Sequence, residues 1–327
     1  MESSTLRGME APTLALELRR GRAGFVQRLA DEWLWSDLAL GDEATRAPRP
    51  ALPPLGARVR GPWRRVLASS GEVGGRELRI GVERNAHGDR RLAFEDGERY
   101  WIGCAGDRIR RLAGGGARPA PERLVERALG APLALALALR GVHLLHASAV
   151  AGPRGALALV GESGAGKSTL AAAAEASSGS GLERLADDIL PVRLGGEPRA
   201  LPSYPQLKLA EGRRRPPGNR SPVLPLAALI EIEHGAGHAA PGLVRLPPAA
   251  AVAALVRATV AARLFDDELL AGHFEAAAAT VAVLPVYRLR FPSGPAGLGE
   301  ALAVLAAAAG LPVVSARDST REPWPDS

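Results

Sequence analysis

The residues Gly161, Glu162, Ser163, Gly164, Ala165, Gly166, Lys167 and Ser168 satisfy the pattern G-x-x-x-x-G-K-[ST]. Glycines at this spacing let a loop wrap phosphates with its backbone N–H groups, and a helix starting at the lysine adds the positive end of its dipole. The lysine then reaches the β- and γ-phosphates, and the serine hydroxyl is offered to Mg²⁺. The context fits, because the apolar run Ala156–Val160 precedes the loop and an alanine-rich helix is predicted from Lys167 to about Ala176. The predicted nucleotide contacts are Gly161 to Ser168 together with Thr169, and the expected cofactors are ATP and Mg²⁺. Only two lysines occur in the chain, Lys167 and Lys208, and one of them fills this slot.

Two further groups belong beside such a loop. Asp187 and Asp188 follow Ser168 by 19 and 20 residues, at the end of the short strand Leu182–Ala186 predicted after the loop's helix. One carboxylate of the pair is expected to help hold Mg²⁺, directly or through water, and the other is then available to take a proton from an attacking hydroxyl, as phosphoryl transfer requires. An Asp pair that only caps the next turn is the structural alternative. His146 comes next: the turn Gly152, Pro153, Arg154, Gly155 predicts a hairpin, and counting back along it puts His146 opposite Gly161. A histidine in an apolar strand is otherwise a core residue.

The elements that must position these groups alternate between strand and helix. Strands are predicted at 142–151, 156–160, 182–186, 226–233 and 286–291, and helices at 122–139, 167–176, 249–264, 266–279 and 298–309, which is the pattern of an α/β layer architecture. Upstream lies a different module, with a helical stretch predicted over Leu14–Leu18 and Phe25–Trp35, a proline-rich segment from Pro48 to Pro62, and four short strands between Glu77 and Leu112 separated by turn residues. The glycine cluster Gly114–Gly116 with Pro119 and Pro121 marks the boundary. The predicted organisation is a small α+β accessory domain over 1–120, a catalytic domain over 121–314 and a mobile tail over 315–327.

Composition excludes several classes. The 327 residues are 46% hydrophobic and 23% charged, ordinary for a globular chain despite 38 Gly and 27 Pro. The longest apolar run, Ala131–Leu139, is about half of the roughly 20 residues a membrane-spanning helix needs, so no membrane span is expected. A single cysteine, Cys104, and the lack of a leader-like pattern point to the cytoplasm. The net charge of +6 comes largely from the first 120 residues, which hold 21 Arg against 16 acids, and the arginine bias has the look of base composition rather than a phosphate-binding face. Dedicated nucleic-acid binding is not expected, since no zinc-ligand spacing or basic zipper accompanies the charge. Lys208, Arg213–Arg215, His234 and His238 are read as solvated loop or edge residues, Cys104 as a packing residue, and Trp33 and Trp35 as anchors of the N-terminal module.

His146, the loop fifteen residues on, and Leu185, Ala186, Asp187, Asp188 together resemble the HPr kinase/phosphorylase family, over roughly residues 120–310 and most strongly over 142–192. The resemblance implies an α/β, P-loop kinase core of the HPr kinase and phosphoenolpyruvate carboxykinase type. It also implies catalytic roles for His146, Lys167 and Asp188, the last as base toward a serine, with Ser168 on Mg²⁺. Homo-oligomers are compatible with it. The family's further metal-binding glutamate has no counterpart in Leu201–Leu209, and its phosphorolysis segment has no match, so reversal of the reaction and HPr as acceptor are not expected. The pattern is more similar to HPr-kinase-like proteins of bacterial peptide natural-product clusters, including lasso-peptide kinases. The expected activity is transfer of the γ-phosphoryl group of ATP to a serine of a peptide or protein. A non-catalytic nucleotide-binding regulator and a small-molecule kinase are the alternatives.

Overall fold

The computed structural model describes residues 13–19, 23–30, 32–40, 45–52, 54–55, 59–73, 76–112, 120–177, 181–201, 204, 223–234, 241–292 and 294–310. Lys208, Arg213–Arg215, His238 and the 315–327 segment lie outside these residues. Two large mixed sheets carry the fold, with helices packed on them.

The first sheet is built by β1 (Leu14–Glu17), β2 (Ala23–Leu29), β3 (Glu32–Ser36), β4 (Thr45–Pro48), β5 (Arg64–Val73), β6 (Arg76–Arg84), β7 (Arg90–Phe94), β8 (Arg99–Ile102) and β9 (Arg108–Leu112), in the order β4-β2-β3-β1-β9-β8-β7-β6-β5. The helical stretch predicted over Leu14–Leu18 and Phe25–Trp35 is therefore corrected to strands. β1 lies between β3 and β9, parallel to both and buried along its whole length, so its apolar run shows none of the alternation of a half-buried strand. β2 and β3 form a hairpin in which Leu29 faces Glu32, and Ala30 takes the left-handed conformation (φ 50°) that Gly or Asn usually signals. β6 to β9 follow from sequence more directly, because alternation in Arg90–Phe94 puts Arg90, Leu92 and Phe94 inward, and the turns use Gly88, Gly97 and Gly106 at positive φ. Trp35 is fully buried against Ala15 and Val26, and Cys104 is exposed.

Helices α1 (Pro121–Leu129) and α2 (Ala131–Leu139) replace the single helix predicted over 122–139, the chain breaking at Gly130. α2 is buried nearly throughout, and its Leu133 and Leu137 share one core with Leu16, Leu34, Leu92 and Ile109 of the first sheet.

The second sheet contains β10 (Val142–His146), β11 (Ser148–Gly152), β12 (Gly155–Val160), β13 (Glu183–Ala186), β14 (Ile189–Arg193), β15 (Arg199–Ala200), β16 (Leu224–His234), β17 (Gly242–Arg245) and β18 (Val286–Phe291). Its main path runs β10-β14-β15-β16-β12-β11-β13, and β18 joins β16 and β17. β12, β16 and β18 are parallel and central. On one face α3 (Lys167–Ala176) and α6 (Pro295–Ala308) cover Leu157, Leu159, Ile230 and Leu289. On the other, α4 (Pro248–Ala258) and α5 (Asp267–Val283) cover Ala158, Val160 and Leu229. No helix among the described residues is long and apolar enough to cross a membrane.

β10 is sandwiched between the two halves. Val142 and Leu144 enter the core under the first sheet, whereas Leu145 enters the core under α4 and α5. His143 is 4% exposed and its ring lies 4.4 Å, centroid to centroid, from that of His273 on α5, itself 1% exposed. Burial, and then His273, push His143 down to about 3, and burial pushes His273 down to about 4. Both rings are thus neutral when folded, whereas the unfolded chain protonates them near 6.5. The unfolded state then binds more protons below pH 6.5, and stability falls toward pH 4 by about 1.4 kcal/mol per pH unit for each ring. Urea midpoints at pH 7.5, 6 and 5 measure this. A His143→Leu/His273→Leu variant should lose most of the slope, and an unchanged slope would contradict the assignment.

Candidate functional site

The candidate phosphate loop, 161–166, leaves the end of β12 and enters α3, the strand–loop–helix order that the sequence predicts. Gly161 has φ 143°, and a Cβ there would sit 2.8 Å from the Ile232 carbonyl of the neighbouring β16, so neither the backbone angle nor the space admits a side chain. Gly166 is the N-cap of α3 in the left-handed conformation, φ 85°. Lys167 is buried, and its Nζ donates to the carbonyls of Gly161 at 3.0 Å and Glu162 at 2.8 Å. Glu162, Ser163, Gly164, Ser168 and Thr169 are exposed, and Ala165 is half-buried.

Asp187 and Asp188 occupy the link between β13 and β14. Ser168 Oγ donates to the Asp187 carbonyl at 3.2 Å, which fixes the aspartate pair against the first turn of α3. Ser148, for which the sequence suggests no role, is the fully buried centre of this contact. Its Oγ donates to the Asp187 carbonyl at 2.9 Å, lies 3.5 Å from Asp187 Oδ1 and is 3.4 Å from Ser168 Oγ. Arg184 Nη1 is 3.7 Å from Asp187 Oδ2, and its Nη2 is 3.1 Å from Glu175.

The hairpin register behind the His146 placement holds only in part. β11 and β12 pair from Gly152↔Gly155 to Ser148↔Leu159, as counted from the turn. At Ala147 the chain leaves that ladder: its N–H donates to the Asp188 carbonyl at 3.1 Å, and β10 pairs with β14, setting His146 opposite Ile189. His146 is therefore not opposite Gly161. Its imidazole lies instead at Asp188, with Nε2 3.5 Å from Oδ1, and it is 38% exposed.

Tyr204 is another residue that carried no sequence signal of function. It is fully buried, its hydroxyl donates to the Leu129 carbonyl, and burial followed by the Asp188 charge pushes that hydroxyl strongly upward. Tyr204 thus ties the end of α1 to the neighbourhood of Asp188. On the other side of the loop, Val160 is in register with Glu231 of β16, which accepts from Arg288 at 2.7 and 2.9 Å and from Arg257 at 2.9 Å. Burial would raise the Glu231 carboxyl, but these bonds and charges outweigh it and hold it below its ordinary value.

Among the described residues no cluster of three or more His, Cys, Asp or Glu forms a protein-only metal cage. A magnesium ion bound together with nucleotide phosphates needs just one or two protein oxygens, the rest being phosphate and water. Ser168 and Asp187, drawn together around Ser148, suit that requirement. No family model and no curated protein sequence matches the chain.

Proposed function

We propose that the chain is an ATP- and Mg²⁺-dependent kinase that transfers the γ-phosphoryl group to a serine hydroxyl of a peptide or protein. The observation that carries this reading is the meeting, where the loop leaves β12, of Ser168 with Asp187 and of His146 with Asp188.

The loop amides and Lys167 bind the triphosphate. On nucleotide entry Lys167 exchanges its two carbonyl partners for phosphate oxygens, a charge-assisted contact in place of neutral ones. Ser168 and Asp187 would hold Mg²⁺, which would supply charge neutralisation at the transferring group. Asp188 accepts the proton of the acceptor hydroxyl, and His146 orients that carboxylate. The β10–β14 pairing and the Ala147 N–H on the Asp188 carbonyl keep both in place. The α/β, P-loop kinase core of the HPr kinase type is part of this proposal, as is the peptide natural-product context.

The test is ADP release in a coupled assay with MgATP and a library of serine-containing peptides. Release stimulated by the serine library and absent with its alanine counterpart supports the reading; ADP release indifferent to the hydroxyl contradicts it. Ser148→Ala supplies a separate check. Loss of the oxygen that joins Ser168 to Asp187 should weaken Mg²⁺ binding to the ATP complex by about tenfold, measured by titration calorimetry, while metal-free nucleotide binding is retained. An unchanged Mg²⁺ affinity would show that Ser148 only fills space.

A further inference from the structure

Away from the loop, a cavity of about 500 Å³ opens at the start of β5, lined by Pro62, Trp63, Arg64, Arg84, Asn85 and Gly88. Trp63 is held rigidly in it. Its Nε1 donates to the Val59 carbonyl at 3.1 Å, and the Arg91 guanidinium sits 4.6 Å from the ring centroid. Asn85 Oδ1 accepts from the N–H groups of His87 and Asp89, both at 3.0 Å, which fixes the turn forming the cavity's other wall. Arg64 is exposed, and Arg84 pairs with Glu268 at 2.6 Å.

β5 itself is the outermost strand of its sheet and pairs with β6 alone among the described strands. After a register shift between Arg65 and Leu67, it pairs residue for residue from Leu67 to Val73. Natural edge strands are blunted by proline, repeated charge or a covering element, because their unpaired N–H and C=O groups template another strand. Leu67 to Val73 contains no proline and one charge, Glu72. The approach to it is basic, since Arg60, Arg64 and Arg65 are exposed and residues 59–71 contain no Asp or Glu.

The strands beside the cavity also lie near the segment that leads to the candidate site. β5 and β6 pack on Ala262–Leu264. That turn closely follows Thr259, which bridges Leu145, the neighbour of His146.

We propose that the edge of β5 and the Trp63–Arg64 cavity form a docking site for an acidic, extended segment of the acceptor peptide. The segment adds as a strand along Leu67 to Val73, sets an apolar side chain against Trp63 and places carboxylates on Arg64 and the arginines leading to it. Strand addition supplies affinity through main-chain hydrogen bonds, and the cavity supplies selection. Single-stranded RNA would also use an aromatic ring and arginines. A regular strand edge complements a peptide backbone instead, and that decides between them. Naming the occupant as acceptor rests on the kinase reading, whereas the docking does not.

Fluorescence anisotropy with the full chain, without nucleotide, tests it. The probes are a fluorescein-labelled decapeptide of alternating Glu and Thr with a central Leu, the same peptide with Gln for Glu, and a labelled ten-nucleotide uridine RNA. The acidic peptide should bind about tenfold more tightly than the Gln peptide at low salt, and Arg64→Glu should remove that preference. Arg64→Gln, a milder change at an exposed position, should weaken the acidic peptide in the same direction. Hydrogen exchange over Leu67 to Val73 should slow when the peptide is added. Equal binding of the Gln peptide, indifference to both Arg64 variants, unchanged exchange or tighter binding of the RNA would each overturn the proposal. A peptide that docks but is never phosphorylated contradicts the kinase reading alone. Phosphorylation that ignores the Arg64 variants contradicts the docking site alone.

Discussion

Asp188→Asn is expected to lower kcat for phosphoryl transfer by about a thousandfold, within the range attributed to a positioned general base, and to leave MgATP affinity nearly unchanged. The amide keeps the size of the carboxylate and its place beside His146, but it does not take a proton from the acceptor hydroxyl. Because the lost interaction forms only in the transition state, kcat and kcat/KM for the acceptor should fall together. His146→Ala should have a smaller effect on the same parameters, since the imidazole acts through Asp188. Initial rates of ADP release, with nucleotide affinity measured by calorimetry, check both. An Asp188→Asn protein as active as the parent would remove Asp188 from the role of base.

Asp266→Ala is expected to destabilise the whole molecule by about 3–5 kcal/mol, because it strands a buried charge. Arg90 of β7 donates Nε to Asp266 Oδ2 at 3.0 Å and Nη2 to Oδ1 at 2.9 Å, a two-pronged pair whose side chains are 4% and 5% exposed. Asp266 also caps α5 by accepting from the Leu269 N–H at 3.1 Å. Burial by itself would raise the Asp266 carboxyl. The Arg90 bonds, the Leu269 N–H and the charges of Arg90 and Arg84 outweigh it and hold the carboxyl below 3.8. Its contribution is therefore whole above about pH 4 and is lost as the pH falls through the folded value. Combining Arg90→Met with Asp266→Ser removes both charges and keeps a capping oxygen, so that pair should recover most of the loss. Urea unfolding at pH 7.5 decides: a single-variant loss below about 1 kcal/mol would mean that Arg90 finds water or another partner. The pair joins the first sheet to the helix that packs on the second, so one cooperative transition is expected for both sheets.

Local chemistry explains what could be read from sequence. The strand–loop–helix at 155–176 was legible because Gly161 and Gly166 occupy left-handed backbone angles that other residues rarely adopt, and Gly161 also lies too close to β16 for a side chain. β7 was legible because one face is buried, and glycine at positive φ marks the turns before β7, β8 and β9. β1 was not, since burial on both faces erases the alternation that tells strand from helix, and the β2–β3 turn hides its left-handed residue in an alanine. His146 lies in a strand, as expected, but beside another neighbour. The hairpin count could not foresee that Ala147 donates to the Asp188 carbonyl, moving β10 from β12 to β14. Ser148 and Tyr204 had no signal at all, because a single serine in an apolar strand and a tyrosine in a loop acquire their roles only from what the fold brings beside them. The Arg90–Asp266 pair, 176 residues apart, belongs to the same class.

The central claim is that the groups gathered at the end of β12 transfer phosphate to a serine. The most direct measurement is mass spectrometry of a serine-bearing acidic peptide after incubation with the protein, ATP and Mg²⁺, beside its alanine counterpart and the Asp188→Asn protein. The account predicts a gain of one phosphate on the serine with the parent protein and none in either control. ATP consumed with no phosphate on the peptide, or equal phosphorylation by the Asp188→Asn protein, would contradict it.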